Sequence, residues 1–94
     1  MKVLNVYYHI KPGMTEKFIE ELYSNDIPGI CAAEDGCLGY DYFAPLEDED
    51  GLLLVEKWES EEALAVHKTQ PHFAFLQQLK DELVDTTDIK IFEA

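Results

Sequence analysis

The sequence predicts a single α+β domain, residues 1–94, in which a four-stranded antiparallel sheet carries helices on one face. Three observations support this class. Four short segments rich in β-branched, aliphatic and aromatic residues have the length of strands. Amphipathic helical stretches connect the first strand to the second and the third to the fourth. The length suffices for one hydrophobic core, and a hydrophobic content of 47% excludes a disordered chain.

The first predicted strand, Lys2–Ile10, has no strongly charged face, so we expect both of its faces to be covered. After a Lys-Pro-Gly turn, we expect Thr15 to cap a helix with an apolar stripe formed by Phe18, Ile19, Leu22 and Tyr23. The helix stops ahead of Pro28, because a residue that precedes proline avoids helical geometry. A short helical turn is predicted at residues 28–33.

A hairpin follows, formed by the second predicted strand of the chain at residues 37–44 and the third at residues 52–58. Alternation of side chains predicts that Cys37 points away from the face that carries Leu38, Tyr40 and Tyr42. The acidic loop EDEDG connects the two strands. On the third strand, Glu56 and Trp58 share a face.

The second crossover is predicted as two helices. Ser60 can cap the first one, and the two glutamates that follow it suit the positive end of the helix dipole. Pro71 begins the second, because proline fits a first helical turn but not a helix interior. A last strand at residues 86–92 completes the order β-α-β-β-α-β, which is the ferredoxin-like arrangement.

Such a sheet has one face without helices. Here that face would be apolar or aromatic and would include Asn5, Leu53 and Val55. A large exposed apolar surface is unusual in a chain of this charge, so we expect two copies to pack sheet on sheet as a homodimer with an isologous interface.

Charge and composition exclude several classes of partner. Twenty acidic and seven basic residues give a net charge of −13, which leaves no patch for nucleic acid or for an anionic membrane surface. No apolar run approaches the ~20 residues of a membrane span, and no separate signal segment is evident, so a cytoplasmic protein is expected. The two cysteines are expected to be reduced thiols. No metal site is expected, because His67 and His72 lie five residues apart and no cysteine lies near them in the sequence.

Residues 56–72 contain a carboxylate, an indole and two imidazoles, and we expect the chemistry of the protein there. Glu56 is unusual on a strand of leucine and valine; it is either a surface carboxylate at the strand end or a buried one paired with an imidazole. His67 and His72 can serve as bases near neutral pH. The alternative for His67 is a histidine that stabilises a helix C-terminus, and the alternative for His72 is a core residue. Trp58 can be a core residue, a ligand contact or both.

The order of the segments IKPG, EDGCLGYDYF, LLLVEKWESEEALAVH and PHF resembles the antibiotic biosynthesis monooxygenase (ABM) family, and within it the small bacterial quinol monooxygenase group. The resemblance covers nearly the whole chain. Its most specific parts are Glu34, Gly36 and Cys37 before the second strand, the Glu56-x-Trp58 pair, and the spacing of Trp58, Ala63, His67, His72 and Phe73. Members often carry a basic residue and a proline near that first glutamate, where this chain has Ala32 and Asp35.

The resemblance implies a dimeric α/β barrel that uses neither metal nor organic cofactor, with a pocket between sheet and helices. It implies a cofactor-independent monooxygenase that oxidises a small aromatic or quinol substrate with molecular oxygen. We expect His67 to act as the base with Glu56 orienting it. The residues expected to bind the substrate are Trp58, Tyr40, Tyr42, His72 and Phe73, although cross-strand packing is the alternative for the two tyrosines.

Other functions occur in the same family. One alternative is a non-catalytic dimer that binds a small ligand. Another is haem binding and degradation, for which His67 or His72 would ligate the iron. An isomerase of a phosphorylated sugar-like signal is less compatible with the scarcity of cationic residues.

Overall fold

A four-stranded antiparallel sheet with helices on one face organises the chain, and the computed structural model describes residues 1–94. The strands and helices, in chain order, are β1 (Lys2–Ile10), α1 (Thr15–Ser24), α2 (Ile27–Ala32), β2 (Cys37–Phe43), β3 (Gly51–Trp58), α3 (Glu61–His67), α4 (Pro71–Leu83) and β4 (Val84–Glu93). The strands lie in the order β2-β3-β1-β4, and each neighbouring pair is antiparallel. This is the ferredoxin-like fold that the sequence predicts, with the second crossover divided between α3 and α4.

The hydrophobic core lies between the sheet and the helices. Every second residue of β1 is buried in it, namely Leu4, Val6, Tyr8 and Ile10. The helices contribute Phe18, Leu22, Leu76, Leu79 and Leu83, spaced by three or four residues. Buried residues thus recur every two positions on β1 and every three or four positions on the helices. The same spacings are present in the sequence, which is why the sequence predicted these elements well.

The two predicted helix caps have different outcomes. The cap at Ser60 is confirmed, because its Oγ accepts a 3.1 Å hydrogen bond from the backbone N–H of Ala63. The cap at Thr15 is wrong: Thr15 is already the first helical residue, and no side chain caps this helix. Its hydroxyl instead donates a 2.8 Å hydrogen bond to the carbonyl of Glu49, which ties α1 to the acidic loop.

A β-bulge changes the faces predicted for β2. Cys37 lies opposite Trp58, but Gly39 lies opposite Lys57, so Leu38 is an extra residue without a partner on β3. Cys37 therefore packs against the core beside Trp58, and Leu38 is exposed. The prediction that Leu38 shares the face of Tyr40, with Cys37 opposite, is wrong because simple alternation does not hold across a bulge.

Gly36 brings the start of β2 close to α3. Its φ of 82° lies in the left-handed region, and a Cβ at this position would come within 2.6 Å of the Ala63 side chain. The Gly36 carbonyl also accepts a 2.8 Å hydrogen bond from the N–H of Glu59. This close approach places the loop that carries Glu34 against α3, with Gly36 at the first turn of that helix.

The sheet face without helices combines apolar side chains with the charged side chains of Asp41, Lys57, Asp88 and Lys90. Val3, Asn5 and Tyr7 of β1 and Leu53 and Val55 of β3 are half-buried on this face, as predicted, and Asn5 lies opposite Val55. Phe43 and Phe92, at the two edges of the same face, are about half exposed. None of the helices has the length and apolar character needed to cross a membrane.

Candidate active site

A small, mainly apolar cavity of about 120 Å³ lies between the sheet and the helices α3 and α4. A cavity of about 150 Å³ with apolar walls accommodates benzene, so this space corresponds to roughly one aromatic ring. Larger depressions exist, but the one beside Pro12 and Asp50 has no hydrophobic lining residue. The polar side chains that reach the small cavity are Tyr8, Tyr40, Glu56, His67, Lys68, Gln77 and Lys80.

Glu34 holds two imidazoles beside this cavity. Its Oε2 lies 2.5 Å from Nδ1 of His67 and 2.9 Å from Nε2 of His72. Glu34 follows α2, His67 ends α3 and His72 lies in the first turn of α4, so three segments meet at one carboxylate. Because an ionised carboxylate only accepts hydrogen bonds, both of these ring nitrogens donate. Neutral His67 is thereby left with an acceptor lone pair at Nε2.

Aromatic rings enclose the imidazole of His67, whose side chain is 2% exposed. The ring centre lies 4.6 Å from the Trp58 ring and 5.2 Å from the Phe73 ring, with Tyr40 at 6.1 Å. The free Nε2 faces Glu56, whose Oε1 is 3.8 Å away. His67 is therefore fixed on one side by Glu34, and its other nitrogen lies near Glu56 at the mainly apolar cavity.

We expected Glu56 to orient His67, but in the structure Glu34 makes the hydrogen bond to this imidazole. Glu56 Oε1 accepts a 3.0 Å hydrogen bond from the indole N–H of Trp58. Its distance of 3.8 Å from the imidazole is too long for a hydrogen bond. Glu56 lines the cavity all the same, so its carboxyl group can meet a bound ligand.

Glu56 should make stability depend on pH. Burial raises the pKa of Glu56, against the opposing effects of the Trp58 hydrogen bond and of the nearby groups His67, Lys68 and Lys80. Because the folded state then binds a proton more readily than the unfolded state, this group's contribution to the free energy of unfolding falls as pH rises from the ordinary glutamate pKa through the raised one. Glu56→Gln, which keeps an acceptor for the indole, should therefore gain stability relative to the wild type as pH rises.

Urea denaturation at about pH 4 and about pH 8 measures this difference between variant and wild type. Glu59→Gln, at an exposed position just after the same strand, is the matched control. A difference for Glu56→Gln that stays constant across this range would contradict the assignment.

The other predicted site residues fall into two groups. Tyr40 and Phe73 line the cavity. Trp58, Tyr42 and His72 do not: Trp58 lies behind Glu56 and His67, and His72 lies on the far side of Glu34. The Tyr42 hydroxyl is 3.5 Å from the Tyr40 hydroxyl. Burial raises the pKa of both tyrosine hydroxyls far above its ordinary value, so both stay protonated and can donate.

Sequence reasoning missed Glu34, Lys68 and Lys80. Glu34 was noted as part of the family resemblance, but it lies in a loop, where no periodicity indicates which way a side chain points. Lys80 follows the buried Leu76 by four residues, so helical spacing could have placed it at the cavity. Its ammonium group lies 5.3 Å from the centre of the Tyr8 ring, and burial lowers its pKa. Two of the seven basic residues thus reach a cavity for which the sequence suggested few cations.

The fold also brings a cysteine to the histidines. One donor atom from each of Cys31, Glu34, His67 and His72 lies within 4.8 Å of all the others. No cysteine lies near the two histidines in the sequence, but Cys31 lies near them in space, because α2 packs against the loop and helices that carry the other three residues. Cys31 is fully buried, and burial raises the pKa of its thiol to about 12. Both cysteines are free thiols, as expected.

Comparisons with known proteins agree with this architecture. The family model described as "Antibiotic biosynthesis monooxygenase" matches residues 1–79. YcnE of Bacillus subtilis (strain 168), which has a provisional monooxygenase name, is 32% identical over 90 residues, covering 95% of this chain and 93% of its own.

Solved structures are similar over the full length. A Bacteroides thetaiotaomicron protein of unknown function, described as a possible oxidoreductase, is 29% identical with a TM-score of 0.87, and the match covers 99% of this chain and 96% of that one. A Nitrosomonas europaea protein provisionally assigned as an antibiotic biosynthesis monooxygenase has a TM-score of 0.91 at 22% identity, covering 100% and 98% of the two chains. At that identity, the second likeness concerns the fold alone.

Proposed function

Because this chain belongs to the antibiotic biosynthesis monooxygenase family, we propose that it is a cofactor-independent monooxygenase that oxidises a small quinol with molecular oxygen. The observation that supports this proposal most is the environment of His67. One of its ring nitrogens is tied to Glu34, and the other faces an apolar cavity of about the size of an aromatic ring. This arrangement suits removal of a proton from a phenolic hydroxyl.

The proposed reaction uses the substrate as its own reductant. Loss of a hydroxyl proton makes the quinol a better electron donor, and the quinol supplies all four electrons that reduce one O₂. One oxygen atom forms a bond to a ring carbon, and the other leaves as water with two hydrogens of the substrate. One quinol and one O₂ thus give one hydroxyquinone and one water.

Four polar groups at the cavity have roles in this scheme. His67 Nε2 accepts the hydroxyl proton, and Glu34 stabilises the imidazolium that results. The cationic side chains of Lys68 and Lys80 and the Tyr40 hydroxyl stabilise the phenolate oxygen. Phe73 packs against the ring of the substrate, and the low polarity of the walls strengthens all of these interactions.

Trp58, Tyr42 and His72, which we also expected at the substrate, act in this proposal through their neighbours. Trp58 packs on the His67 ring and holds Glu56. His72 shares Glu34 with His67, and Tyr42 approaches the hydroxyl of Tyr40. Replacing any of these three residues should shift the groups that contact the substrate more than it removes contacts with the substrate ring.

We propose further that the active form is a homodimer closed through the helix-free sheet faces. The half-exposed Phe43 and Phe92 flank the apolar side chains of the two central strands on this face. A second copy of the same face would remove this apolar surface from water.

Oxygen uptake by the purified protein with a panel of substituted hydroquinones tests the function. The expected result is uptake above the rate of quinol autoxidation, with one ¹⁸O atom from ¹⁸O₂ in each product molecule. If hydrogen peroxide accounts for the oxygen and no label enters the product, the protein is a quinol oxidase. Saturable binding of quinols without uptake would support the non-catalytic ligand-binding alternative. A haem macrocycle far exceeds one ring in size, and a haem titration in which the Soret band of free haem does not shift would exclude that alternative.

Glu34→Gln should lower the turnover number for a quinol by about fivefold. The glutamine oxygen can still accept from both imidazoles, but a hydrogen bond to a charged acceptor is worth about 1 kcal/mol more than one to a neutral acceptor. The pH dependence of kcat/KM should change as well, which a purely structural loss would not cause. Stopped-flow or oxygen-electrode kinetics check this, with Asp35→Asn, next in the chain, as the matched control. Unchanged kinetics would mean that Glu34 does not position the base.

A further inference from the structure

Four side chains with metal-ligating atoms meet at the edge of the candidate active site. They are Cys31 of α2, Glu34 of the following loop, His67 at the end of α3 and His72 at the start of α4. One donor atom of each lies within 4.8 Å of all the others. We propose that this cluster binds one divalent transition-metal ion, for which zinc has the best-matched chemistry, and that the bound ion switches off His67 as a base.

The size of the cluster fits a tetrahedral ion. Zinc–nitrogen bonds of about 2.0 Å and a zinc–sulfur bond of about 2.3 Å place the donor atoms of such a site about 3.3–3.6 Å apart. The Glu34 oxygen now lies between the two imidazoles, at 2.5 and 2.9 Å from their nitrogens. An ion that takes this central position replaces two N–H donors by two lone pairs and moves the carboxylate oxygen outwards by one bond length, about 2 Å. The most distant of the four donor atoms, which now lie within 4.8 Å of one another, must approach by about 1 Å.

The donor types select the class of ion. A sulfur, two imidazole nitrogens and one carboxylate oxygen suit zinc or cobalt, whereas magnesium and calcium prefer oxygen ligands alone. A thiolate and a carboxylate together carry two negative charges, which balance a divalent cation. The net charge of −13 for the chain adds to the attraction of cations.

A second observation is the carboxylate of Glu56, which lies near Nε2 of His67. A histidine that ligates zinc through one nitrogen usually donates its other N–H to a carboxylate or carbonyl. If Nδ1 of His67 ligates the ion, the remaining Nε2–H faces Oε1 of Glu56 across 3.8 Å. The indole of Trp58 already holds Glu56 in place. The site therefore places a carboxylate where zinc-bound histidines have their outer partner, and a shift of about 1 Å would bring it to hydrogen-bond distance.

The cluster is also accessible to an ion. Cys31 and His67 are buried, but the side chains of Glu34 and His72 are each 13% exposed. An ion can therefore enter past the loop and the first turn of α4 without passing through the cavity.

Metal binding would change the tautomer of His67. In the metal-free protein Nδ1 donates to Glu34, and Nε2 is free to accept a proton. With Nδ1 on the metal, the proton resides on Nε2, and the imidazole cannot act as a base towards the cavity. This consequence rests on the proposed function, whereas the binding of the ion does not. Zinc should thus inhibit the quinol reaction, and a chelator should restore it.

Spectroscopy with cobalt(II) and equilibrium dialysis with zinc test the binding without any substrate. Untagged, full-length protein freed of metal by a chelator should bind one zinc per chain. Cobalt(II) should give the intense visible bands of a tetrahedral ion and a thiolate-to-metal charge-transfer band. Cys31→Ser should lose that band and bind zinc at least tenfold more weakly, and Cys37→Ser should retain both properties. Glu56→Gln should keep the band and weaken zinc binding by about 10–100-fold.

Circular dichroism of the metal-free variants confirms that each is folded. If Cys31→Ser does not fold, His72→Ala takes its place, because His72 lies at the accessible edge of the cluster; it should weaken zinc binding at least tenfold. The proposal is overturned if wild-type protein shows no thiolate-to-cobalt band. It is equally overturned if zinc binds Cys31→Ser or His72→Ala as tightly as wild type, which would mean that surface carboxylates hold the ion. The cobalt and zinc binding measurements do not depend on turnover. They therefore test the metal site even if the protein does not oxidise quinols.

Discussion

Replacing His67 by alanine should lower the turnover of a quinol by about 10²–10⁴-fold, the usual contribution of a positioned general base. The reason is that Nε2 of His67 is the one imidazole nitrogen that faces the cavity with a free lone pair, while Glu34 holds Nδ1. Oxygen uptake with the best hydroquinone substrate of the wild type measures the effect. Since His67 is buried against Trp58, circular dichroism and thermal unfolding must show that the variant keeps its fold.

Two further histidine variants make this test specific. His67→Gln fills more of the space than alanine and should lose similar activity, which separates the loss of the base from the loss of packing. His72→Ala should chiefly reduce stability or binding, because this imidazole lies on the far side of Glu34 and does not line the cavity. If His67→Ala keeps full activity while His72→Ala abolishes it, the base has been assigned to the wrong histidine.

Val55→Asp should convert the proposed dimer into monomers. Val55 lies at the centre of the helix-free sheet face, opposite Asn5 on β1 and Asp41 on β2. In an isologous interface this substitution buries an unpaired carboxylate in each subunit, and Asp41 on the neighbouring strand adds repulsion. The cost is several kcal/mol, or about a thousandfold or more in the dissociation constant. Light scattering at micromolar concentration measures the mass of the particle.

A matched control for this change exists on another surface. Val66 is a valine on α3 with 57% of its surface exposed, so Val66→Asp adds the same charge without burying it. This variant should keep the mass of the wild type. A wild-type protein that is already a monomer under these conditions would contradict the dimer itself, and a Val55→Asp variant that remains dimeric would contradict the proposed interface.

The sequence by itself determined the arrangement of the sheet and of its core. The run of strand-forming residues at Lys2–Ile10 predicted β1, and the stripe that contains Phe18 and Leu22 predicted the packing of α1. Ser60 and Pro71 marked two helix starts through local chemistry, a side-chain cap and a missing N–H. These features depend on residues a few positions apart, and periodicity and turn chemistry report on that range.

The sequence also predicted that His67, Glu56, Tyr40 and Phe73 lie near one another, and the structure places all four at the same cavity. The alternation of side chains on β3 and the helix that follows it indicated this for Glu56 and His67, whereas Tyr40 and Phe73 were expected there with the family resemblance. The sequence could not determine distances. The 3.8 Å between Glu56 and the imidazole of His67, instead of a hydrogen bond, depends on how α3 packs on the sheet. That packing involves Gly36 and Ala63, which come from different parts of the chain.

Only the tertiary structure decided which groups surround His67 on its other side. Glu34 is 33 residues away from it in the chain, and Cys31 lies on a separate helix. Neither residue lies on a periodic face that points to the histidines, and the two histidines have no spacing typical of a metal site. The bulge at Leu38 likewise cannot be recognised by alternation, because one extra residue reverses the faces that precede it. Contacts between distant segments arise from the packing of whole helices and strands, and local sequence patterns carry no information about them.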